Sequence, residues 1–182
     1  VDVTRAAPYQ RAAQGMGRTF QNIRLFPQLT VLENVMTGAQ RANNPIAPGE
    51  AALRERALSA LEFVGMREKS GELVRQLPYG HQRLVEIARA LAGHPKLLLL
   101  DEPAAGLNQT EKGELMALLR RLREEHGLTI LLIDHDMRLV EGVSDVITVL
   151  NFGKKIAEGS PADVLRNPAV VAAYLGESNA PA

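Results

Sequence analysis

Apolar positions along this chain follow two rhythms, and the change from one to the other divides it. From Thr30 to about His94 the spacing is largely helical. Leu53, Ala57, Leu61 and Val64 recur at helical intervals after Pro48, which suits a first helical turn. A second helix is expected from about His81 to Ala92, with Gly93 and Pro95 as its stop signals. Beyond this, short apolar runs alternate with helical stripes. Leu97 to Leu100 reads as a strand buried on both faces. Leu115, Leu118, Leu119 and Leu122 form one helical stripe, with Gly127 as its cap, and Ile130 to Ile133 is a further apolar run. Strand, helix, strand at this spacing predicts a right-handed crossover in a parallel sheet. Val146 to Leu150 and Lys155 to Ala157 flank Asn151-Phe152-Gly153, which predicts a hairpin near the sheet edge. Ser160-Pro161 and Asn167-Pro168 each offer a capping side chain followed by proline at a first helical position. Before Phe26 the pattern is mixed, with one extended piece at Met16 to Phe20.

These elements place the chain in the α/β class, with a mainly parallel sheet and a helical insertion ahead of it. The expected organisation is a helical subdomain over about 27–94, a parallel-sheet core over about 95–160 and C-terminal helices over about 161–182. The chain has 182 residues, enough for one compact core. Lys plus Arg number 21 and Asp plus Glu 21, so no basic excess points to nucleic acid. The absence of cysteine excludes disulfides and thiolate metal sites. No apolar run approaches the roughly 20 residues that span a bilayer, so membrane association is expected to come through a partner. The first residues, VDVTRAAPYQRAAQ, lack the basic-then-apolar order of a signal peptide and an initiator Met, which suggests a start inside a longer protein.

The strongest chemical feature is LLLLDEP, Leu97 to Pro103. An apolar strand ending in paired acids puts the carboxylates at its carboxyl end, where open parallel sheets bind ligands. Asp101 is then suited to hold Mg²⁺ directly or through water, and Glu102 to polarise a water attacking a terminal phosphate. The plainer reading is a strand that leaves the core into two solvated acids. The next apolar run ends in IDHD, with His135 at the equivalent strand tip. A histidine there is ordinarily a hydrogen-bonded structural residue, but beside Asp101 and Glu102 it is suited to grip a γ-phosphate. Upstream, Gly80 precedes the helix expected from His81, whose free N-terminal amides would suit an anion; an ordinary glycine before an ordinary helix fits equally.

LPYGHQR resembles the signature motif of ABC ATPases, LLLLDEP their Walker B segment, IDHD their switch-histidine loop, and RTFQNIRLF their glutamine loop. All occur in the family's order. AAGLNQTE and GSPADVLRNPAVVAAYLGE are similar to the subfamily that energises branched-chain amino acid uptake. The resemblance implies a P-loop NTPase core that binds ATP and Mg²⁺. It implies that Gln21 senses the γ-phosphate and metal while its flanking segment meets the membrane subunit. Leu77, Pro78, Tyr79, Gly80, His81 and Gln82 would cover the γ-phosphate of ATP held by an opposing subunit. Asp101 would support Mg²⁺, Glu102 would act as catalytic base, and His135 would contact the γ-phosphate. Ala104 to Asn108 would form a dimer-contact loop. Without the family, Gln21 reads equally as a turn glutamine and Asn108 as a helix N-cap. The implied partners are a second ATPase subunit, identical or related, and transmembrane permease subunits, with no nucleic acid. The implied location is the cytoplasmic face of the inner membrane.

The sequence departs from the family in three places. No stretch matches G-x-x-x-x-G-K-[ST], the loop whose amides and lysine cradle phosphates. The strand and loop that carry it lie upstream of Gln21 in the family, so they are expected to be missing from this chain. Pro78 stands where the signature usually has serine, and proline offers neither hydroxyl nor amide hydrogen. His81 stands where a glutamine is usual. Two other readings follow: a truncated or degenerate non-catalytic subunit, and, more distantly, a DNA-repair type ABC ATPase. The short span from Gln21 to Leu77 leaves no room for the coiled coil of the latter.

Overall fold

The computed structural model describes residues 2–40 and 49–175, and these divide after Asp134 into two units. The first unit opens with a short helix, α1 (Pro8–Ala13), and a strand, β1 (Met16–Arg18). Three helices follow: α2 (Val31–Ala39), α3 (Glu50–Phe63) and α4 (Tyr79–Leu91). Then come β2 (Leu97–Asp101), α5 (Gln109–His126) and β3 (Thr129–Ile133). The sheet has the order β1-β2-β3 with both pairings parallel, Met16 opposite Leu97 and Leu97 opposite Thr129. The two strands expected in the parallel core are therefore neighbours, joined by α5.

Local chemistry explains where the helices start and stop. Thr30 caps α2 by accepting from the Glu33 amide, while Glu33 returns to the Thr30 amide, a reciprocal arrangement that satisfies two otherwise orphan donors. Asn108 and Glu111 repeat it at α5, and Gly127 closes that helix at φ 58°, the left-handed region that glycine enters without strain. Both sequence stripes are buried as expected: Leu53, Ala57, Leu61 and Val64 on one side, Leu115, Leu118, Leu119 and Leu122 on the other. Pro48 lies outside the described residues, and Gly49 is the N-cap of α3. Asn34 is wholly buried, yet its amide meets the backbone of Phe26, Leu29 and Thr30, so this buried polar side chain is paired.

Two expectations need correction. Helix α4 begins at Tyr79, so Gly80 lies inside its first turn; Pro78, in an extended conformation, is the N-cap. Burial is also less symmetrical than apolarity suggested. In β2, Leu98 and Leu100 are buried while Leu97 and Leu99 are only half-buried. In β3, Leu131 and Ile133, which share one face of the strand, are 56% and 61% exposed.

The second unit contains α6 (Met137–Val143), β4 (Ile147–Asn151), β5 (Lys154–Gly159), α7 (Pro161–Leu165) and α8 (Pro168–Val170). The hairpin expected around Asn151 is present, β4 pairing antiparallel with β5. Its turn residues Phe152 and Gly153 both have positive φ, as a tight two-residue hairpin requires. Ser160 and Asn167 cap α7 and α8, each followed by proline in the first turn. Ile147, Val149, Val164 and Val170 make its core. No helix among the described residues is long and apolar enough to cross a membrane.

Candidate functional site

Asp101 is the last residue of β2, and Glu102 stands just beyond the ladder. The Glu102 amide donates to the carbonyl of Ile133 at 2.7 Å, which continues the strand pairing for one more residue. Glu102 then turns sharply, at φ 43°. A non-glycine residue held there stores roughly 1–3 kcal/mol of strain, which neighbours must over-determine. They do so from two sides: the Ala105 amide donates to the Glu102 carbonyl, and the Ala104 amide donates to the Asp134 carboxylate at 3.1 Å. Asp134, at the tip of β3, thus fixes the turn that presents Glu102.

Gln21 lies three residues past β1, and parallel pairing of β1 with β2 brings it to the same end of the sheet. Its amide nitrogen donates to a Glu102 carboxylate oxygen at 2.9 Å. Arg18 donates to Asp101 at 3.3 Å, and the guanidinium groups of Arg18 and Arg24 lie over the Phe20 ring at 4.8 and 4.3 Å. Gln21, Asp101 and Glu102 therefore lie at one strand tip. His135 opens the second unit, two residues past β3, and its side chain is exposed.

The loop carrying Gln21 is held by α4. Arg83 and Glu86 are buried and paired at 2.8 Å. Arg83 donates to the carbonyls of Phe20 (2.8 Å) and Gln21 (2.7 Å) and to the Tyr79 hydroxyl (3.1 Å). Glu86 accepts from the Arg24 amide at 3.3 Å, and Arg89 donates to the Arg24 carbonyl. Burial pushes the Arg89 guanidinium below its ordinary value, which the nearby Glu86 carboxylate partly offsets. Sequence reading missed these residues, as it missed Asp134. The available signal was charge at Arg83, Glu86 and Arg89, three apart, on a helix whose other face is apolar; such a stripe is ordinarily solvated.

The signature-like turn is tightly built. Leu77 is buried, Gln82 donates to its carbonyl at 2.9 Å, and no side chain caps α4 at Pro78. A Cβ on Gly80 would lie 2.3 Å from a Glu111 carboxylate oxygen, and one on Gly106 2.8 Å from the Tyr79 ring. The segment Ala104 to Asn108 thus packs against the start of α4. Asn108 itself caps α5 through the Glu111 amide. The buried Nδ1 of His81 has no hydrogen-bond partner among the described residues. No cluster of three or more His, Cys, Asp or Glu suited to a metal ion occurs among the described residues. Oxygen donors on Asp101 and Gln21 fit Mg²⁺, which keeps several waters and takes substrate phosphate as ligand. Cavities of about 380 and 470 Å³ touch none of Gln21, Asp101 and Glu102: one lies beside β1 and α4, the other between α3, α4 and α5.

Comparison with known proteins gives the following. The family model described as ABC transporter matches residues 2–105, and that described as branched-chain amino acid ATP-binding cassette transporter matches residues 154–180. The chain is 43% identical over 178 residues to the high-affinity branched-chain amino acid transport ATP-binding protein BraF of Pseudomonas aeruginosa, covering 92% of this chain and 70% of that protein. It is 43% identical over 180 residues to LivG of Escherichia coli K12, covering 93% and 71%. Among solved structures, the ADP conformation of the ATP-binding cassette MJ1267 superposes with a TM-score of 0.84 at 31% identity, covering 97% of this chain and 74% of that one. The dimeric cassette MJ0796 bound to ADP and Pi gives 0.76 at 28% identity, covering 88% and 70%.

Proposed function

The chain belongs to the ATP-binding subunits of ABC transporters, with their P-loop NTPase fold, and from that premise we propose that it contributes the hydrolytic half-site powering import of branched-chain amino acids. The observation that carries the reading is the contact of Gln21 with Glu102 at the tip of β2. It brings a carboxylate suited to take up a proton and a side-chain amide together at the carboxyl end of a parallel sheet, which supports that reading.

Glu102 accepts the proton of the attacking water as that oxygen bonds to the γ-phosphorus and the bond to the β-phosphate oxygen breaks, leaving ADP and inorganic phosphate. The Gln21 amide donates to the Glu102 carboxylate and so aims it. Asp101 and the Gln21 carbonyl oxygen are the groups that would hold Mg²⁺, which when bound neutralises phosphate charge. For that, Arg18 has to release the Asp101 carboxylate. The segment Leu77 to Gln82, presented by a helical subdomain over residues 27–94, covers ATP held by a second ATPase subunit. Ala104 to Asn108 meets that subunit, and Asn108 lies near its nucleotide. Permease subunits hold the protein at the cytoplasmic face of the membrane.

Pro78 lacks the signature hydroxyl. That favours a second reading, a subunit that occupies the transporter without hydrolysing ATP. The test joins the phosphate-loop segment of the LivG relative to the N-terminus of this chain and measures phosphate release and leucine uptake with its permease partners. Hydrolysis coupled to uptake is expected. A well-folded fusion that binds ATP and releases no phosphate would establish the second reading instead.

A further inference from the structure

We infer that Arg83 is a positioning residue for ATP hydrolysis: with Glu86 and Arg89 it clamps the Gln21 loop to helix α4, so that the aim of Glu102 depends on that helix. The inference rests on the catalytic reading of Gln21 and Glu102 given above.

Three features carry it. Arg83 and Glu86 are 0% and 1% exposed, so their charges are spent on each other and on the loop rather than on solvent. Their bonds go to the loop's backbone, which makes the clamp independent of loop side chains: Arg83 holds the carbonyls of Phe20 and Gln21, Glu86 the amide of Arg24, and Arg89 the carbonyl of Arg24. Gln21 is thus fixed at its carbonyl by Arg83 while its side chain reaches Glu102 at 2.9 Å. The Tyr79 hydroxyl, in the first turn of α4, accepts from the same Arg83 guanidinium. One planar fork therefore joins the start of α4 to the loop whose glutamine touches the proposed base. A guanidinium can do this and an ammonium cannot, because only the fork offers several donors in fixed directions.

The experiment uses the phosphate-loop fusion described above with Arg83→Lys, Gln21→Ala and the double variant, and Glu86→Gln as a second route to the clamp. Arg83→Lys is expected to lower kcat by about tenfold or more with KM for ATP within about twofold, since the loss is in the transition state and not in ground-state binding. If the effect passes through Gln21, Arg83→Lys adds nothing in the Gln21→Ala background. Hydrogen exchange supplies an arm that needs no turnover: the Arg24 amide should exchange about tenfold faster in Arg83→Lys and in Glu86→Gln, while amides of Ile87 to Leu91 keep their protection. Unchanged kcat, losses that multiply in the double variant, or unaltered exchange at Arg24 would overturn the clamp. A fusion that does not hydrolyse ATP would instead count against the catalytic reading, and the exchange arm would still decide whether the clamp exists.

Discussion

The Gln21 side chain donates to Glu102 across 2.9 Å, although the two residues stand 81 positions apart. The contact depends on the Glu102 carboxylate acting only as an acceptor. Glu102→Gln retains an acceptor oxygen for Gln21 but removes the group that takes up a proton. In the phosphate-loop fusion, turnover should fall by roughly 10²–10⁴-fold with ATP binding kept, the usual loss for a general base. Phosphate release in single-turnover assays is the measurement, and an undiminished rate would remove Glu102 from that role.

Pro78→Ser separates stability from activity. Serine at an N-cap contributes about 1 kcal/mol, while losing proline loosens the unfolded chain by about 0.4–1 kcal/mol, so the two nearly cancel. Urea unfolding should therefore change little. Turnover of the fusion, and its ATP-dependent dimerisation in a Glu102→Gln background read by light scattering, should both rise. No change in either would mean that another group already serves the opposing phosphate.

The fold was legible where the governing physics is local. The leucine stripe of α5, its left-handed Gly127, and the paired caps at Ser160 and Asn167 all follow from neighbours within a turn or two. The strand tips were legible too, since an apolar run ending in Asp101 and Glu102 names its own polarity. What stayed hidden depends on distant partners. Nothing near Arg83 in sequence announces that it meets the carbonyls of Phe20 and Gln21, and nothing beside Glu102 announces a positive φ. Asp134 was masked by its neighbour: in IDHD the histidine drew the functional reading, while the aspartate supports the turn after Glu102.

Two glycines inside helices should respond with opposite signs. A Cβ on Gly38 would sit 1.9 Å from the carbonyl oxygen of Arg89, so Gly38→Ala must push α2 and α4 apart. A loss of about 1–3 kcal/mol is expected, as for other overpacked sites. Gly113, on α5, has nothing within 4 Å of its Cβ position. Gly113→Ala should gain about 0.5–1 kcal/mol from reduced backbone entropy in the unfolded chain. Thermal unfolding of both variants checks the pair.

The Glu33 carboxyl is held below its usual 4.5, first by the Thr30 amide and then by the Thr30 hydroxyl. A lowered folded value means the stabilisation is fully present above about 4.5 and disappears as pH falls through the folded value. Thr30→Val removes the hydroxyl and leaves the amide, so part of the depression should persist. Carboxyl titration by NMR in both proteins measures it; a Glu33 that titrates at its ordinary value in Thr30→Val would show that the hydroxyl alone was responsible.

The register of the first sheet has a consequence in time. Met16 waits for Leu97, and the helical insertion between them must be gathered before these two strands can pair. Helix α2 meets α3, its neighbour in the chain, whereas the pairing of β1 with β2 closes a long loop, an entropic demand that slows formation. During synthesis, the β1–β2 pairing therefore waits until β2 has followed. Pulse-labelled hydrogen exchange during refolding should find protection at Leu61 and Ile87 before it reaches Leu98. Simultaneous protection at all three positions would mean that sheet and insertion assemble in one step.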